Sequence, residues 1–212
     1  MSDIARAPGS LRPGGRTART RAAVLDAVLA ELGETGYAGL TMETVARRAG
    51  VHVATVYRRW RTVEGLIVDL MTRLGATEIP FPDTGSLAAD LRGLARAIVT
   101  LYVDNPRIRT VVETIIATAT KDPGASEALH EFFADRNRRA AVIVERAVAR
   151  GELPPGTDGV ELISFLAAPI YYRMLVSRRP IDTALADHAA TAAHIAALSG
   201  VFGGAEAEDV TS

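Results

Sequence analysis

Apolar side chains recur along most of this chain at spacings of three and four residues, which is the pattern of amphipathic helices. In the first such segment Ala23, Val24, Ala27, Val28 and Leu32 follow this spacing. No segment of useful length alternates between apolar and polar residues with a period of two, as a half-buried strand would. The pattern therefore predicts an all-α protein.

Capping residues, prolines and glycines divide the chain into nine predicted helices. Asn105-Pro106 and Asp122-Pro123 each combine an N-cap with proline at the first helical position. Pro169 should kink the helix that contains it. Caps and periodicity together place the helices at residues 17–33, 42–49, 53–59, 63–74, 86–103, 106–120, 123–150, 158–177 and 183–199.

The segment Ile79–Asp83 contains two prolines, which cannot lie inside a helix, so it is a natural boundary between domains. Proline and glycine are also frequent at the N-terminus, where Arg6 and Arg12 add positive charge. We therefore expect a flexible basic arm at 1–15, a first helical domain at 16–76, a second at 77–204, and a frayed tail at 205–212.

The formal net charge of −1 conceals a strong asymmetry between the two parts of the chain. Residues 1–75 hold 11 Arg and 7 acidic residues (net +4), whereas residues 76–212 hold 13 Lys and Arg and 18 acidic residues (net −5). Between Thr35 and Val63 there are five arginines and one acidic residue, Glu43. This asymmetry indicates an anionic partner at the N-terminal end.

The remaining composition limits the compartment and the chemistry. The 212 residues are 48% hydrophobic, which is ample for a core, and none is cysteine, which suits a reducing cytoplasm. The N-terminus lacks the apolar segment of a secretory signal, and we find no apolar run near the roughly 18 residues of a membrane-spanning helix. We expect a cytoplasmic protein with no membrane partner.

The most informative segment is Thr41–Trp60, TMETVARRAGVHVATVYRRW. It predicts a helix, a tight turn through Gly50 and a second short helix, which is the arrangement of a helix-turn-helix. The second helix would expose one face to a DNA major groove, about 12 Å wide, into which a helix fits. A plain pair of solvent-facing helices is the alternative for the pattern alone.

A run of about fifty residues ending at Leu70 resembles the DNA-binding domain of TetR-family regulators. The C-terminal half also resembles a regulatory domain of that family, less specifically. The motifs that carry the resemblance are Gly36-Tyr37, the Thr41 cap, Ala46, Ala49-Gly50-Val51, Thr55-Val56-Tyr57, Glu64-Gly65-Leu66, Asn105-Pro106, Arg150–Pro154 and Ala168–Tyr172.

The resemblance implies an N-terminal three-helix domain joined by a fourth helix to a C-terminal helical domain for ligand binding and dimerisation. It also implies a DNA contact for eight residues. Thr41 would bind phosphate at the start of the second helix. Base edges would be approached by Val53, Ala54 and Arg58, the DNA backbone by Thr55 and Tyr57, and further phosphate by Arg61 and Thr62.

Three positions depart from the family pattern. His52 stands where a capping Ser or Thr is frequent, Val53 where Lys or a polar residue is frequent, and Val63 where Lys is common. These changes favour fewer polar base contacts and more readout of thymine methyl groups or DNA shape.

The last two predicted helices, at about 158–178 and 182–200, have the composition of a dimer interface. The first is apolar over much of its surface, and the second carries eight alanines between Thr183 and Ser199. Small side chains permit close helix approach, so two such hairpins could form a four-helix homodimer interface. Ordinary packing within one chain is the alternative.

The middle helices mix aromatic, small and hydroxyl-bearing residues, as pockets for small molecules do. We therefore expect an unknown small-molecule effector in the second domain, although each of these residues could instead belong to the core or surface. The candidate ligand-binding residues are Tyr102, Thr118, Phe133, Arg136, Phe165 and Tyr172.

The sequence argues against an enzyme. The four histidines provide no pair one helical turn apart, and no nucleophile, phosphate-loop or zinc-protease motif is present. We expect no metal, no cofactor and no catalytic residue. The prediction is a transcriptional regulator that represses a palindromic operator as a homodimer until a ligand releases it. Its alternatives are a ligand-independent helical DNA-binding or adaptor protein, or an activator with the same fold.

Overall fold

The structure, a computed structural model of the chain, describes residues 14–77 and 79–203. Within those ranges there is no strand, and one isolated bridge pairs Thr157 with Gly203. The all-α prediction is confirmed. The helices are α1 (Gly14–Thr35), α2 (Met42–Ala49), α3 (Val53–Trp60), α4 (Val63–Thr77), α5 (Leu87–Asp104), α6 (Pro106–Ala119), α7 (Pro123–Ala140), α8 (Val142–Ala149), α9 (Gly159–Tyr171) and α10 (Thr183–Leu198), with a 3₁₀ turn at Tyr37–Gly39 and a π-helical turn at Tyr172–Val176.

The single helix predicted over 123–150 is wrong in one respect, because the structure divides it into α7 and α8 at Ala141. There the Val144 amide donates to the Ala141 carbonyl, three residues back, at 2.8 Å. This is the spacing of a 3₁₀ turn, whereas an α-helix bonds to the fourth residue back. The N-terminus of α9 approaches closely at this point. A Cβ atom on Gly159 would lie 3.1 Å from the Cβ atoms of both Ala141 and Val144.

Pro169 lies inside α9, as predicted, and it changes the helix rather than ending it. Proline has no amide hydrogen to donate to the preceding turn. Past this point the chain adopts the wider π-helical pattern, in which the Ser177 amide donates to the carbonyl of Tyr172, five residues back, at 3.1 Å.

The chain forms two compact units, Met1–Leu70 and Met71–Ser212. The division falls inside α4, so this helix contributes residues to both units. The domain boundary at 76–77 stays a prediction. The arm predicted at 1–15 lies almost entirely outside the described residues, and so does the tail predicted at 205–212.

The core of the first unit forms where the apolar stripes of its helices meet. Helix α1 packs on α2, and α2 packs on α3. The side chains of Val24, Val28, Val45, Val56 and Leu66 are fully buried there. This core fixes the orientation in which the short helix α3 is presented.

The core of the second unit is arranged around α5, which packs on α6, α8, α9 and α10. Helix α10 lies against α5 with its buried alanines, because small side chains let two helices approach closely. The buried alanines of α10 are Ala186, Ala189, Ala190, Ala193 and Ala197.

The window Gly159–Val176 corrects the expectation that no apolar run approaches the length of a membrane-spanning helix. Its mean hydropathy is 1.3 over 18 residues, so length and composition alone would allow it to cross a membrane. One third of the window is buried inside the structure. Core helices of soluble proteins can have the same length and hydropathy, so a single segment of this kind is weak evidence for a membrane span.

Candidate nucleic-acid interface and ligand cavity

Helices α2 and α3 are joined by a tightly defined turn. The Thr41 hydroxyl accepts the Thr44 amide, and the Thr44 hydroxyl accepts the Thr41 amide, both at 3.0 Å. At the other end of α2, Gly50 adopts the left-handed conformation with φ of 65°, and the amides of Gly50 and Val51 satisfy the last carbonyls of the helix. The turn predicted through Gly50 is therefore a closed hydrogen-bonded motif.

Helix α3 presents a buried and an exposed face. Val56 and Trp60 are buried in the core. The exposed side chains include Ala54, Tyr57 and Arg58. Val53 and Thr55 are half-buried at the edges of this face. His52 precedes the helix without a side-chain cap bond.

The buried end of α3 is held by a carboxylate on α4. The indole N–H of Trp60 donates to Asp69 at 2.8 Å, and the Arg21 guanidinium of α1 donates to both Asp69 oxygens. Burial by itself would raise the pKa of Asp69, but the bonds from Arg21 and Trp60 outweigh it and lower that pKa. Three helices of the first unit therefore meet at one ionised side chain.

The connection from α3 to α4 is a strained γ-turn centred on Arg61. Arg61 has φ of 62° and ψ of −42°, and the Thr62 amide donates to the Trp60 carbonyl at 2.6 Å. The same carbonyl oxygen occupies the space that a Cβ on Gly65 would need. The Thr62 hydroxyl accepts a hydrogen bond from the Gly65 amide at 3.2 Å, so Thr62 caps α4. Glycine at position 65 allows this close approach.

Tyr57 is oriented by α2. Its hydroxyl donates to the Glu43 carboxylate at 3.0 Å across the turn. This bond raises the pKa of Tyr57. The pKa of Glu43 is lowered by its own backbone amide and by the Tyr57 hydroxyl. The tyrosine ring is 45% exposed, so its position on the surface is defined while a large part of it stays accessible.

The five arginines between Thr35 and Val63 are not equivalent. Arg48 forms ion pairs with Glu31, at 2.6 Å, and with Glu34. The guanidinium of Arg59 lies 5.2 Å from the centre of the Trp60 ring, a cation–π contact. Three arginines remain exposed without an ion pair to any other described residue, namely Arg47, Arg58 and Arg61.

The second unit contains an apolar cavity of about 340 Å³, within the range of roughly 300–1,000 Å³ for small-molecule sites. Side chains of α5, α6, α7 and α9 form its wall. Most of the wall is aliphatic or aromatic. Its polar side chains are Arg136, Asn137, Ser164 and Tyr171.

The structure brings together part of the predicted ligand-binding set. Phe133 and Arg136 line the cavity, and the Tyr102 hydroxyl is hydrogen-bonded at 3.1 Å to the hydroxyl of Tyr171, which lines it. The other predicted ligand residues lie elsewhere. Thr118 bonds the Thr114 carbonyl, Phe165 packs on Phe202, and Tyr172 is 61% exposed.

The sequence alone did not identify several residues of these sites. In the sequence, Asp69 and Arg21 are ordinary positions on two predicted helices. Their contact joins residues 48 positions apart, so no local pattern reveals it. Asn137 lines the cavity beside the predicted Arg136, and Tyr171, which belongs to the same aromatic and hydroxyl-bearing pattern, lines it where Tyr172 was chosen as the candidate. The helical register could have favoured Tyr171, which lies eight residues after the cavity residue Ile163, on the same face of α9.

The geometry of α2, its turn and α3 is that of a helix-turn-helix DNA-binding protein. Residues 24–70 match the family described as "Bacterial regulatory proteins, tetR family". Residues 81–193 match the "Tetracyclin repressor-like, C-terminal domain". The two matches follow the division of the chain into its two units.

Curated relatives agree with these matches. The chain is 33% identical over 170 residues to the HTH-type transcriptional regulator AqdR of Rhodococcus erythropolis, covering 80% of this chain and 81% of AqdR. It is 30% identical over 169 residues to the uncharacterized HTH-type transcriptional regulator YdeS of Bacillus subtilis, covering 79% and 84% of the two chains.

A solved structure gives the same answer. The crystal structure of the TetR family transcription regulator SCO0332 superposes with a TM-score of 0.67 at 30% identity, over 86% of this chain and 98% of that one. This chain belongs to the TetR family of DNA-binding transcriptional regulators.

Proposed function

We propose that this regulator is a cytoplasmic repressor that binds a palindromic operator as a homodimer and leaves it when a small molecule fills the cavity of the second unit. The observation that carries the proposal is the exposed face of α3, held in one orientation by the Trp60–Asp69 bond and the turn at Gly50. A helix that reads bases needs such a fixed support, because small displacements would misplace its contacts.

The exposed face of α3 suits a mixture of base and phosphate contacts. Arg58 can reach both guanine acceptors in the major groove, and Ala54 and Val53 offer apolar contact to a thymine methyl group. Tyr57 and Thr55 carry hydroxyls for the DNA backbone. Arg61 and Thr62 lie at the start of α4, where helix amides also favour phosphate. Thr41 has the equivalent position before α2.

Positive charge on this surface would come from a small number of arginines. Arg47, Arg58 and Arg61 are exposed, whereas Arg48 is engaged by Glu31 and Glu34. The logarithm of the DNA-binding constant falls linearly with the logarithm of the salt concentration, and each neutralised phosphate adds about −0.9 to the slope. Replacing Arg48 should therefore change the salt dependence of binding much less than replacing any of the exposed three.

The dimer would form through exposed apolar stripes on α9 and α10. Ile195 and Leu198 are each 58% exposed, and Phe165 is 43% exposed. Exposed large apolar groups that share one stripe indicate a protein interface. The exposed positions recur at spacings of three, four and eight, and are Glu161, Phe165, Ala168, Pro169, Tyr172 and Val176 on α9 and its extension, and Ala184, His188, Thr191, Ala192, Ile195 and Leu198 on α10.

This stripe also accounts for the hydropathy of Gly159–Val176. One side of α9 faces the cavity with Ile163, Ala167 and Tyr171, and the other side carries the exposed stripe. A helix that is apolar on both sides needs two partners. A second copy of the chain would provide the second partner. A two-fold dimer would bring two recognition helices to half-sites about 34 Å apart.

Ligand release follows from the same helix. A ligand changes DNA affinity only if it binds two conformations of the protein with different affinity. Helix α9 is in contact with the cavity and carries the stripe, so a ligand that shifts it would alter the geometry of the dimer. A ligand-independent regulator and an activator with the same fold are the competing functions.

The experiment is selection of bound sequences from random duplex DNA with the purified full chain. The expected result is a motif with two-fold symmetry. Arg58→Ala should weaken binding to that motif by about 1–3 kcal/mol and relax one base position. Arg107→Ala removes an exposed arginine from α6 as the matched control and should leave affinity unchanged.

Recovery of no sequence motif at moderate salt would contradict the function. A motif without symmetry would contradict the dimeric operator. Transcription in vitro from a promoter overlapping the motif then separates the alternatives, since a repressor lowers the transcript and an activator raises it.

A further inference from the structure

The cavity of the second unit gathers its polar groups on two helices. Arg136 and Asn137 are consecutive residues of α7, and Ser164 and Tyr171 belong to α9. Hydrocarbon side chains such as Leu94 form most of the remaining wall. A ligand that matches this lining has an apolar body and a compact polar group.

One charged side chain lines the cavity. Among the described residues that line it, Arg136 is the one cation and no carboxylate is present. Tyr171 is the other ionisable group, and burial raises its pKa, so it stays protonated. Burial likewise raises the pKa of Tyr102 well above its ordinary value. Arg136 lines this cavity together with Tyr171, and it lines a smaller neighbouring cavity together with Tyr102.

The two tyrosines supply a second donor beside this cation. Their oxygens are 3.1 Å apart and share one hydrogen bond, which uses one of the two hydroxyl protons. When Tyr102 donates to Tyr171, the proton of Tyr171 is left to point to an acceptor in the cavity. The Tyr171 ring is held by edge contacts with Tyr102 and Phe133, at centroid distances of 5.9 and 5.2 Å.

We propose that the effector is an apolar monocarboxylic acid whose carboxylate binds Arg136 and accepts the Tyr171 hydroxyl. The proposal rests on the proposed function insofar as it makes this cavity the effector site. A guanidinium has five N–H donors, so Arg136 can keep contacts within the protein while it binds a carboxylate. A carboxylate gives both the guanidinium and the Tyr171 hydroxyl a charged acceptor, whereas a primary amide offers one neutral oxygen and an ammonium group offers no acceptor.

The test is calorimetric binding to the full chain in the absence of DNA. The probes are benzoate, naphthoate, phenylbutyrate, octanoate and decanoate, each paired with its primary amide. We expect at least one acid to bind about ten- to a hundredfold more tightly than its amide, as charged hydrogen bonds are worth about 1.5–3 kcal/mol.

Arg136→Gln should remove this preference while the amide still binds. Arg138→Gln is the matched control, because Arg138 is an exposed arginine of the same helix outside the cavity. Arg136→Lys keeps the charge and should retain part of the preference, which protects the test if the Gln variant fails to fold. Tyr171→Phe should weaken acid binding less than Arg136→Gln.

Equal binding of acids and amides, a preference that persists in Arg136→Gln, or no binding by any acid would each overturn the proposal. DNA release is measured separately by gel shift. If an acid binds at Arg136 without releasing DNA, the ligand class stands and the release mechanism fails. If an amide releases DNA, release stands and the acid proposal fails.

Discussion

The two units of this regulator differ in what surrounds their part-buried charges. In the first unit they join helices that are distant in sequence, as Arg21 and Trp60 do through Asp69. In the second unit the Arg96–Asp187 ion pair joins α5 and α10 at the surface. The second unit also contains an apolar cavity whose described lining includes one cation, Arg136.

The difference follows from the physics of the two tasks. Hydrogen bonds to a half-buried charge are directional, so they fix α3 at one angle. Apolar contacts are non-directional, and the walls of a cavity lack neighbours on one side. Directional bonds to a charge therefore hold α3 in the first unit, whereas apolar side chains surround the cavity of the second. Three substitutions and one pH series test this comparison.

The largest effect should come from the exposed stripe of the second unit. Ile195→Asp places a charge where the proposed dimer would bury it. Operator affinity should fall by about 10²–10⁴-fold. In a dimer the binding of one DNA-binding unit holds the second unit at a high effective concentration near its half-site, and a monomer loses this gain. Light scattering measures the mass in solution, and gel shift measures the affinity.

Val103→Asp is the matched control, because Val103 is likewise an exposed β-branched apolar residue, 51% accessible, and lies on α5 outside the stripe. It should leave both mass and affinity unchanged. If the Ile195→Asp variant still has the mass of a dimer, then Ile195 and its stripe on α10 are not part of the dimer interface.

The next effect concerns the junction of α3 and α4. Gly65→Ala would force a methyl group onto the Trp60 carbonyl, and overpacking of this kind costs about 1–3 kcal/mol. Gly33→Ala, in the open interior of α1, should instead stabilise by about 0.5–1 kcal/mol. Trp60 is the one tryptophan of the chain, so its fluorescence during urea unfolding reports on the first unit. Equal midpoints for the two variants would show that the junction tolerates a side chain.

Much of this architecture was accessible from sequence because its signals are local. The turn at Gly50, the caps at Thr41 and Asp122, and the apolar spacing each depend on residues within a few positions. The exposed face of α3 followed from the same periodicity. A motif of about fifty residues then connected these signals to DNA binding.

The features that sequence reasoning missed depend on distant parts of the chain. The interruption at Ala141 has no proline or glycine to announce it, and α9 approaches it from a separate segment. The Tyr102–Tyr171 pair spans 69 residues. Tyr171 and Tyr172 are adjacent and chemically identical, so the register of α9 alone decides which one faces the cavity.

An effect of similar size should come from the carboxylate that holds α3. Asp69→Asn keeps the shape but removes the charge paired with Arg21, which should cost about 1.5–3 kcal/mol of stability. It should also weaken operator binding, because the end of α3 loses its support. Glu34→Gln is the matched control in the same unit, as its pair with Arg48 is exposed and should change the unfolding midpoint little. Equal effects would mean that burial of the pair is unimportant.

The smallest effect should be the pH dependence of the stability difference between the wild type and Asp69→Asn. The folded pKa of Asp69 is lowered below its ordinary value of about 3.9. Its carboxylate therefore stabilises the folded state above that value, and the contribution is lost as pH falls through the lower folded pKa. The stability gap between the wild type and Asp69→Asn should be constant from about pH 7 to 5 and shrink below about pH 4. Glu34 also has a lowered pKa, from the bond with Arg48, but its exposed pair should give a shallower change. If the Asp69→Asn gap held constant down to about pH 3, the ionised carboxylate would not be what holds α3 in place.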